Sequence, residues 1–427
     1  MEERYESSLV YAKTQDAGDE LAQFRERFYQ IEGHTYMDGN SLGLCSRDAE
    51  AAVLDMLRVW KENGIYLWNI EEGRYYQYSQ TLAKLAAPLI GVSPEEICIT
   101  GNTTINIHQA ISTLYRPSAS RYKILVDELN FPTDIYAVNS QVIQKGLDPS
   151  RAVKTVPSKD GLFIDEDDII AAMTGDVALA LLPAVFYRSA QLLDIARLSA
   201  EARKRGVIIG WDLCHSIGSV PHDFSAADAD FAVWCNYKYL SGGPGCTAGL
   251  YINRRHFDLM PGLWGWFGND PKTQFRMSHI FEKAPNAEAW QTGTPNLLSM
   301  APLEGTLRIF NEAGMARIRE KSLRLTSYLM FLIDEKLKKY GFSCGNPRDD
   351  SKRGGHVALS HEDGYRICLA LKSHKVIPDF REPDVIRLAP IALYNTYTEV
   401  YTVVEILEKI MLEREYEAFG RERSLVI

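Results

Sequence analysis

The chain has 427 residues, 46% hydrophobic and 24% charged, with a formal net charge of −9. Single hydrophobic cores stop growing at roughly 250–300 residues, so two lobes are expected. An acidic balance without clustered Lys and Arg argues against nucleic acid and anionic membranes as main partners, because both need dense positive charge.

The acidic opening from Met1 to Ser8 lacks an apolar leader, and no apolar run nears the roughly 18 residues of a membrane span, so a cytoplasmic protein is expected. Seven cysteines (45, 98, 214, 235, 246, 344 and 368) are scattered, mostly within apolar runs, and none stands in a close metal-ligand pair. Core thiols in a reducing compartment, with no metal, are the expectation.

In chain order, residues 17–31 space their apolar side chains as an amphipathic helix, with Asp19 placed to cap it. Tyr36 begins a short strand that breaks into a turn rich in Gly and Asn. Helices are predicted over 48–63 and 75–90, the second ended by Gly91 and Pro94. Strands follow at 97–100, 123–126, 177–182, 207–211, 231–235 and 248–253, separated by helices over 104–115, 134–145 and 195–204. Strands alternating with helices predict an α/β lobe built on a mainly parallel sheet. Beyond Thr294 a long helical pattern runs from Leu303 to Tyr340, broken near Gly314. Short strands at 356–359 and 385–388, with helices over 364–373 and 398–415, predict a smaller α+β lobe. Residues 1–60 are expected to join that small lobe, 61–297 to form the large one, and 298–427 the remainder.

Chemistry concentrates where strands end. Asp212 and His215 follow the apolar run Val207 to Trp211, and the next strand delivers Tyr237 and Lys238 into Ser241-Gly-Gly-Pro-Gly. Open α/β sheets bind ligands at this carboxyl edge. A lysine that forms a Schiff base, with an acid to face a pyridinium nitrogen, is the arrangement of a pyridoxal 5′-phosphate (PLP) enzyme. Taken singly, Asp212 reads equally as a helix cap and Lys238 as a solvated loop residue.

Neighbouring segments carry paired readings of the same kind. Thr103 and Thr104 start a helix, where free N–H groups and hydroxyls can grip a phosphate or simply cap. Phe131 can stack on a flat ring and Asp134 can bond its substituents, although Pro132 with Asp134 is also an ordinary helix start. Trp266, in Trp264-Gly-Trp-Phe-Gly, and Thr294, in Gly293-Thr-Pro, offer further donors for a phosphate. Arg387 lies inside an apolar strand, where it needs an anion: a substrate carboxylate, or a structural ion-pair partner.

Taken together these stretches resemble one family, kynureninase, a fold type I PLP enzyme of the aspartate aminotransferase superfamily. The matching segments are Asp38-Gly-Asn-Ser-Leu-Gly, Phe131-Pro-Thr-Asp, Asp212-Leu-Cys-His-Ser, Tyr237-Lys-Tyr-Leu-Ser-Gly-Gly-Pro-Gly, Gly265-Trp-Phe-Gly, Gly293-Thr-Pro, and Asp379-Phe-Arg with Val385-Ile-Arg. They span residues 38–388 in family order. The resemblance implies a seven-stranded-type, mainly parallel sheet with a smaller α+β domain, and a homodimer acting on a small amino acid in tryptophan catabolism. It implies hydrolysis of the Cβ–Cγ bond of L-kynurenine or 3-hydroxykynurenine to an anthranilate and L-alanine. Lys238 would hold the cofactor and shuttle protons, Asp212 would face the pyridinium, and Tyr237 would carry a proton. Thr103, Thr104, Phe131, Asp134, His215, Tyr237, Trp266 and Thr294 would bind the cofactor. Asn40, Ser41 and Arg387 would contact the substrate.

Two departures stand out. Pro183 occupies a position where the family usually has a hydroxyl, and Arg188-Ser-Ala replaces a later Thr-Gly. The aryl wall aligns only loosely with Ile65, Tyr66 and Trp68. A modified kynurenine therefore stays open as a substrate, as does a cysteine desulfurase-like lyase using Cys344. A catalytically silent PLP-binding protein is disfavoured because the lysine, the acid and the arginine are all present.

Overall fold

The computed structural model of the chain describes residues 5–422; residues 1–4, half of the acidic opening stretch, lie outside the described residues. Seven strands form the large sheet: β1 (Ile97–Ile99), β2 (Lys123–Asp127), β3 (Val153–Val156), β4 (Val177–Pro183), β5 (Ile208–Asp212), β6 (Phe231–Trp234) and β7 (Gly249–Ile252). Their spatial order is β1-β7-β6-β5-β4-β2-β3, and β7 alone runs against its neighbours. The continuous apolar runs follow from this position. Every residue of β4 and β6 is buried, as expected of central strands covered on both faces.

β3 was not foreseen. Val153-Lys-Thr-Val is short and only partly buried, the pattern of an edge strand, and nothing in four residues separates it from a loop. At the N-terminus the expected 17–31 helix is replaced by a helix over Leu9–Ala17 and a 3₁₀ turn over Ala22–Arg27. The backbone N–H of Gly18 closes the first helix on Thr14 and Gln15. Asp19, expected to cap that helix, instead accepts from Leu21 N at 3.0 Å just ahead of the short turn, whose N-cap is Leu21 with no side-chain bond.

The small lobe carries the antiparallel strands β8 (Ser343–Cys344), β9 (Val357–Ser360), β10 (Asp379–Arg381) and β11 (Val385–Leu388), in the order β10-β11-β9-β8. In this register Arg387 stands opposite both Asp379 and Ala358. Thr35–Tyr36 pairs in parallel with Val376–Ile377, and Asp38 bridges to Ala389, which seats the Asn40-Ser41 turn against the small lobe. Between the lobes run two helices, Leu297–Ala313 and Met315–Leu332, separated at Gly314 with φ 79°. The first buries Met300, Leu303, Leu307 and Phe310 in the core beneath the large sheet.

Candidate active site

Because β1, β2, β4, β5 and β6 all point the same way, the segments after them meet at one edge of the sheet. There they line a cavity of about 370 Å³ closed from the other side by the small lobe. Asn40, Ser41, Thr103, Thr104, Phe131, Asp134, Pro183, Asp212, His215, Tyr237, Lys238 and Arg387 all face it.

The turn carrying Lys238 is rigid. Ser241 N–H donates to Lys238 O and Gly242 N–H to Asn236 O, both at 2.8 Å, while Asn236 Nδ2 donates to Thr247 O at 2.6 Å. Gly43 approaches so closely that an added Cβ would sit 2.4 Å from Lys238 O. Lys238 Nζ lies 3.1 Å from His215 Nε2 and 5.8 Å from the centre of the Phe131 ring. Phe131 is 38% exposed and braced edge-on by Tyr187 at 5.3 Å, so one face is available for stacking.

Burial, then the charge on Lys238, pushes His215 well below its ordinary range, which makes its ring a neutral acceptor. Burial also works against the Lys238 ammonium, but Cys235, Cys214 and Asp212 outweigh it and leave this lysine raised. Tyr237 is raised as well, by burial and then Cys235, and so keeps its phenolic proton.

Several buried polar atoms here have no partner within the described residues. Both carboxyl oxygens of Asp134, both amide atoms of Asn40 and Nδ1 of His215 are unpaired. Leaving such groups unsatisfied is costly, so they mark places where a ligand completes the bonding. Asp134 is fully buried, and burial followed by the charge of Asp212 drives its carboxyl well above the usual range. Two crowded carboxyls, a lysine, an aromatic platform and two threonine hydroxyls at a helix start fit a flat, protonated heteroaromatic ring bearing a phosphate. The donor set suits PLP.

Trp266 and Thr294 do not join this set. Trp266 is 44% exposed, Thr294 is exposed, and neither lines the cavity. Ile65 and Tyr66 are exposed as well, and Trp68 packs edge-on against Tyr76 at 6.4 Å. Cys344 lies in β8, away from the cavity, with its thiol near Asn346 Oδ1 at 3.5 Å. Pro183 lines the cavity in register with Asp212 but offers no hydrogen-bonding side chain. Asn102, Thr133, Val185, Tyr187, Cys214 and Arg381 also line the cavity, outside the set expected from the sequence. Arg381 was within reach, since alternation along a strand puts it on the same face as Asp379.

This architecture is that of a fold type I PLP enzyme. Solved structures that share it include a cysteine desulfurase from Thermococcus onnurineus, with a TM-score of 0.78 and 19% identity over 92% of this chain and 98% of that one. A cystine C–S lyase with glycine covalently linked to its PLP cofactor matches with a TM-score of 0.77 and 19% identity, covering 90% of this chain and 99% of the other. Residues 318–407 match the model of the kynureninase C-terminal domain. Kynureninases from Bacillus cereus and Geobacillus thermodenitrificans are 55% and 54% identical, over 99% of this chain and 99% and 98% of their own lengths. One from Shouchella clausii is 49% identical over 97% of both. The chain belongs to the kynureninase family.

Proposed function

We propose that this protein binds PLP in the cavity and hydrolyses the Cβ–Cγ bond of L-kynurenine, or of 3-hydroxykynurenine, to an anthranilate and L-alanine. The observation that carries the reading is the convergence of Lys238, Asp212, Phe131 and Arg387 on one cavity. Family membership supports it. When bound, PLP supplies an electron sink for negative charge at the substrate α-carbon.

The chain's own residues do the rest. Asp212 would hold a proton on the ring nitrogen, and Asp134 and His215 would hold ring substituents. Phe131 supports the ring face, and Thr103, Thr104 and Tyr237 take the phosphate. Lys238 anchors the cofactor and moves the α-proton, and Tyr237, which keeps its phenolic proton, delivers one to the departing β-carbon. Arg387 and Ser41 hold the α-carboxylate, and Asn40, with both amide atoms unpaired, meets the substrate's polar groups.

The working unit is a homodimer in which Trp266 and Thr294 complete the phosphate site of the partner subunit. Support comes from an exposed apolar surface unusual for a monomer: Trp264 (60%), Trp266, Phe275 (63%), Met277 (71%) and Ile280 (74%). Sedimentation at micromolar concentration checks this, with a dimer expected and a monomer of full activity contradicting it.

The activity itself is tested by following anthranilate fluorescence from L-kynurenine beside 3-hydroxyanthranilate release from the hydroxylated substrate. Alanine and sulfide from L-cysteine without anthranilate would overturn the reading in favour of a desulfurase.

A further inference from the structure

Arg381 ends β10 at the edge of the small sheet and faces the cavity beside Arg387. The two guanidiniums converge on one oxygen of Asp379, Arg381 through Nε at 3.0 Å and Arg387 through Nε at 2.5 Å. They differ in what they have left to offer.

Arg387 is 1% exposed and largely committed. Its Nη1 donates to Tyr187 O at 2.8 Å, and its Nη2 donates to Ser41 Oγ at 3.1 Å and also reaches Asp379. Of the five N–H donors of a guanidinium, a single one on Nη1 remains. A carboxylate bound as a fork needs two. In Arg381 the situation is reversed. Among the described residues only its Nε is engaged, through Asp379, and both terminal nitrogens are without a protein partner. Its side chain is 37% exposed, and it lines the same cavity.

We propose that Arg381 is a second ligand of the substrate α-carboxylate, its terminal N–H groups binding one carboxylate oxygen while the spare donor of Arg387 takes the other. Asp379 then serves as the shared brace that fixes the angle between the two arms. The inference rests on the reading that an α-amino acid occupies this cavity, and its test separates the two.

The PLP-loaded protein and its R381Q and R381K variants are compared in L-kynurenine turnover and in titration with L-alanine, followed by cofactor absorbance. Loss of charge-assisted hydrogen bonds to a carboxylate should raise KM about tenfold or more in R381Q, with kcat changed by less than about threefold. R381K, which keeps the charge without the fork, should lie between. The half-saturation concentration for L-alanine should rise by a similar factor. KM and L-alanine binding within about twofold of wild type in both variants would overturn the proposal, as would a change confined to cofactor retention or thermal stability. If the wild-type protein does not turn over L-kynurenine, the functional reading fails and the L-alanine titration alone still decides the role of Arg381.

Discussion

Lys238 Nζ and His215 Nε2 are 3.1 Å apart, a hydrogen bond between side chains carried past the ends of adjacent parallel strands. Since burial keeps the imidazole neutral, it orients the amine without competing for its proton. Replacing His215 with Phe should lower kcat/KM by about tenfold or more, the worth of one charge-assisted hydrogen bond. His215→Asn should recover part of the loss. Steady-state kinetics on the PLP-loaded variants reads this directly.

The pair formed by Arg387 and Asp379 holds the small-lobe wall of the cavity together. Arg387 is fully buried, so removing its counter-charge strands a cation among β9, β10 and β11. Asp379→Ala should cost about 3–5 kcal/mol of stability, the usual penalty for breaking a buried ion pair from one side. Asp379→Asn keeps an acceptor and should cost less. Urea unfolding midpoints of the two variants give the comparison.

Gly43 is required by proximity. Its N–H donates to Tyr237 O at 2.8 Å, and a Cβ there would lie 2.1 Å from Ser241 Oγ. Gly43→Ala should therefore displace the Lys238 turn, costing about 1–3 kcal/mol and weakening PLP retention. Gly345→Ala, whose nearest neighbour would be at 3.7 Å, is the matched control and should change neither. Thermal melts with and without added PLP check both.

Glu288 makes stability depend on pH. It is buried, accepts from Ser79 Oγ at 3.0 Å and from Gln291 Nε2, and burial pushes its carboxyl up to about 7. A raised folded-state pKa favours the protonated native form. Its contribution is full below the ordinary value of 4.5 and is lost as pH rises from there through about 7. Glu288→Gln should remove this loss. Its advantage over wild type should grow across that window, reach about 1–3 kcal/mol, and stay constant above about pH 7. Denaturant midpoints between pH 5 and 8 measure it.

The site was legible from the sequence wherever one strand end carried its own chemistry. The acid at 212, the lysine at 238 and the ring at 131 sit just past buried strands, and parallel pairing brings them together. What could not be read depends on packing between segments far apart in the chain. Arg387 stood between two partners, and only the register of β10 and β11 shows that Asp379 already pairs with its Nε and Nη2. Trp266 and Thr294 carry donors suited to a phosphate, yet no local pattern tells whether such a loop folds into its own cavity or toward a second copy. The edge strand β3 failed for the opposite reason: four residues, of which one alone is buried, carry too little hydrophobic pattern to stand out.

The proposed role of the cavity around Lys238, PLP-dependent cleavage of a kynurenine, is tested by anthranilate fluorescence on mixing the PLP-loaded protein with L-kynurenine, run beside Lys238→Ala. Anthranilate and L-alanine should appear in equal amounts from the wild type, with turnover at least about a hundredfold lower in the variant, which loses its proton-transfer group. A folded, PLP-loaded wild type that releases no anthranilate from L-kynurenine or its 3-hydroxy form, or a Lys238→Ala variant of undiminished rate, would contradict the account.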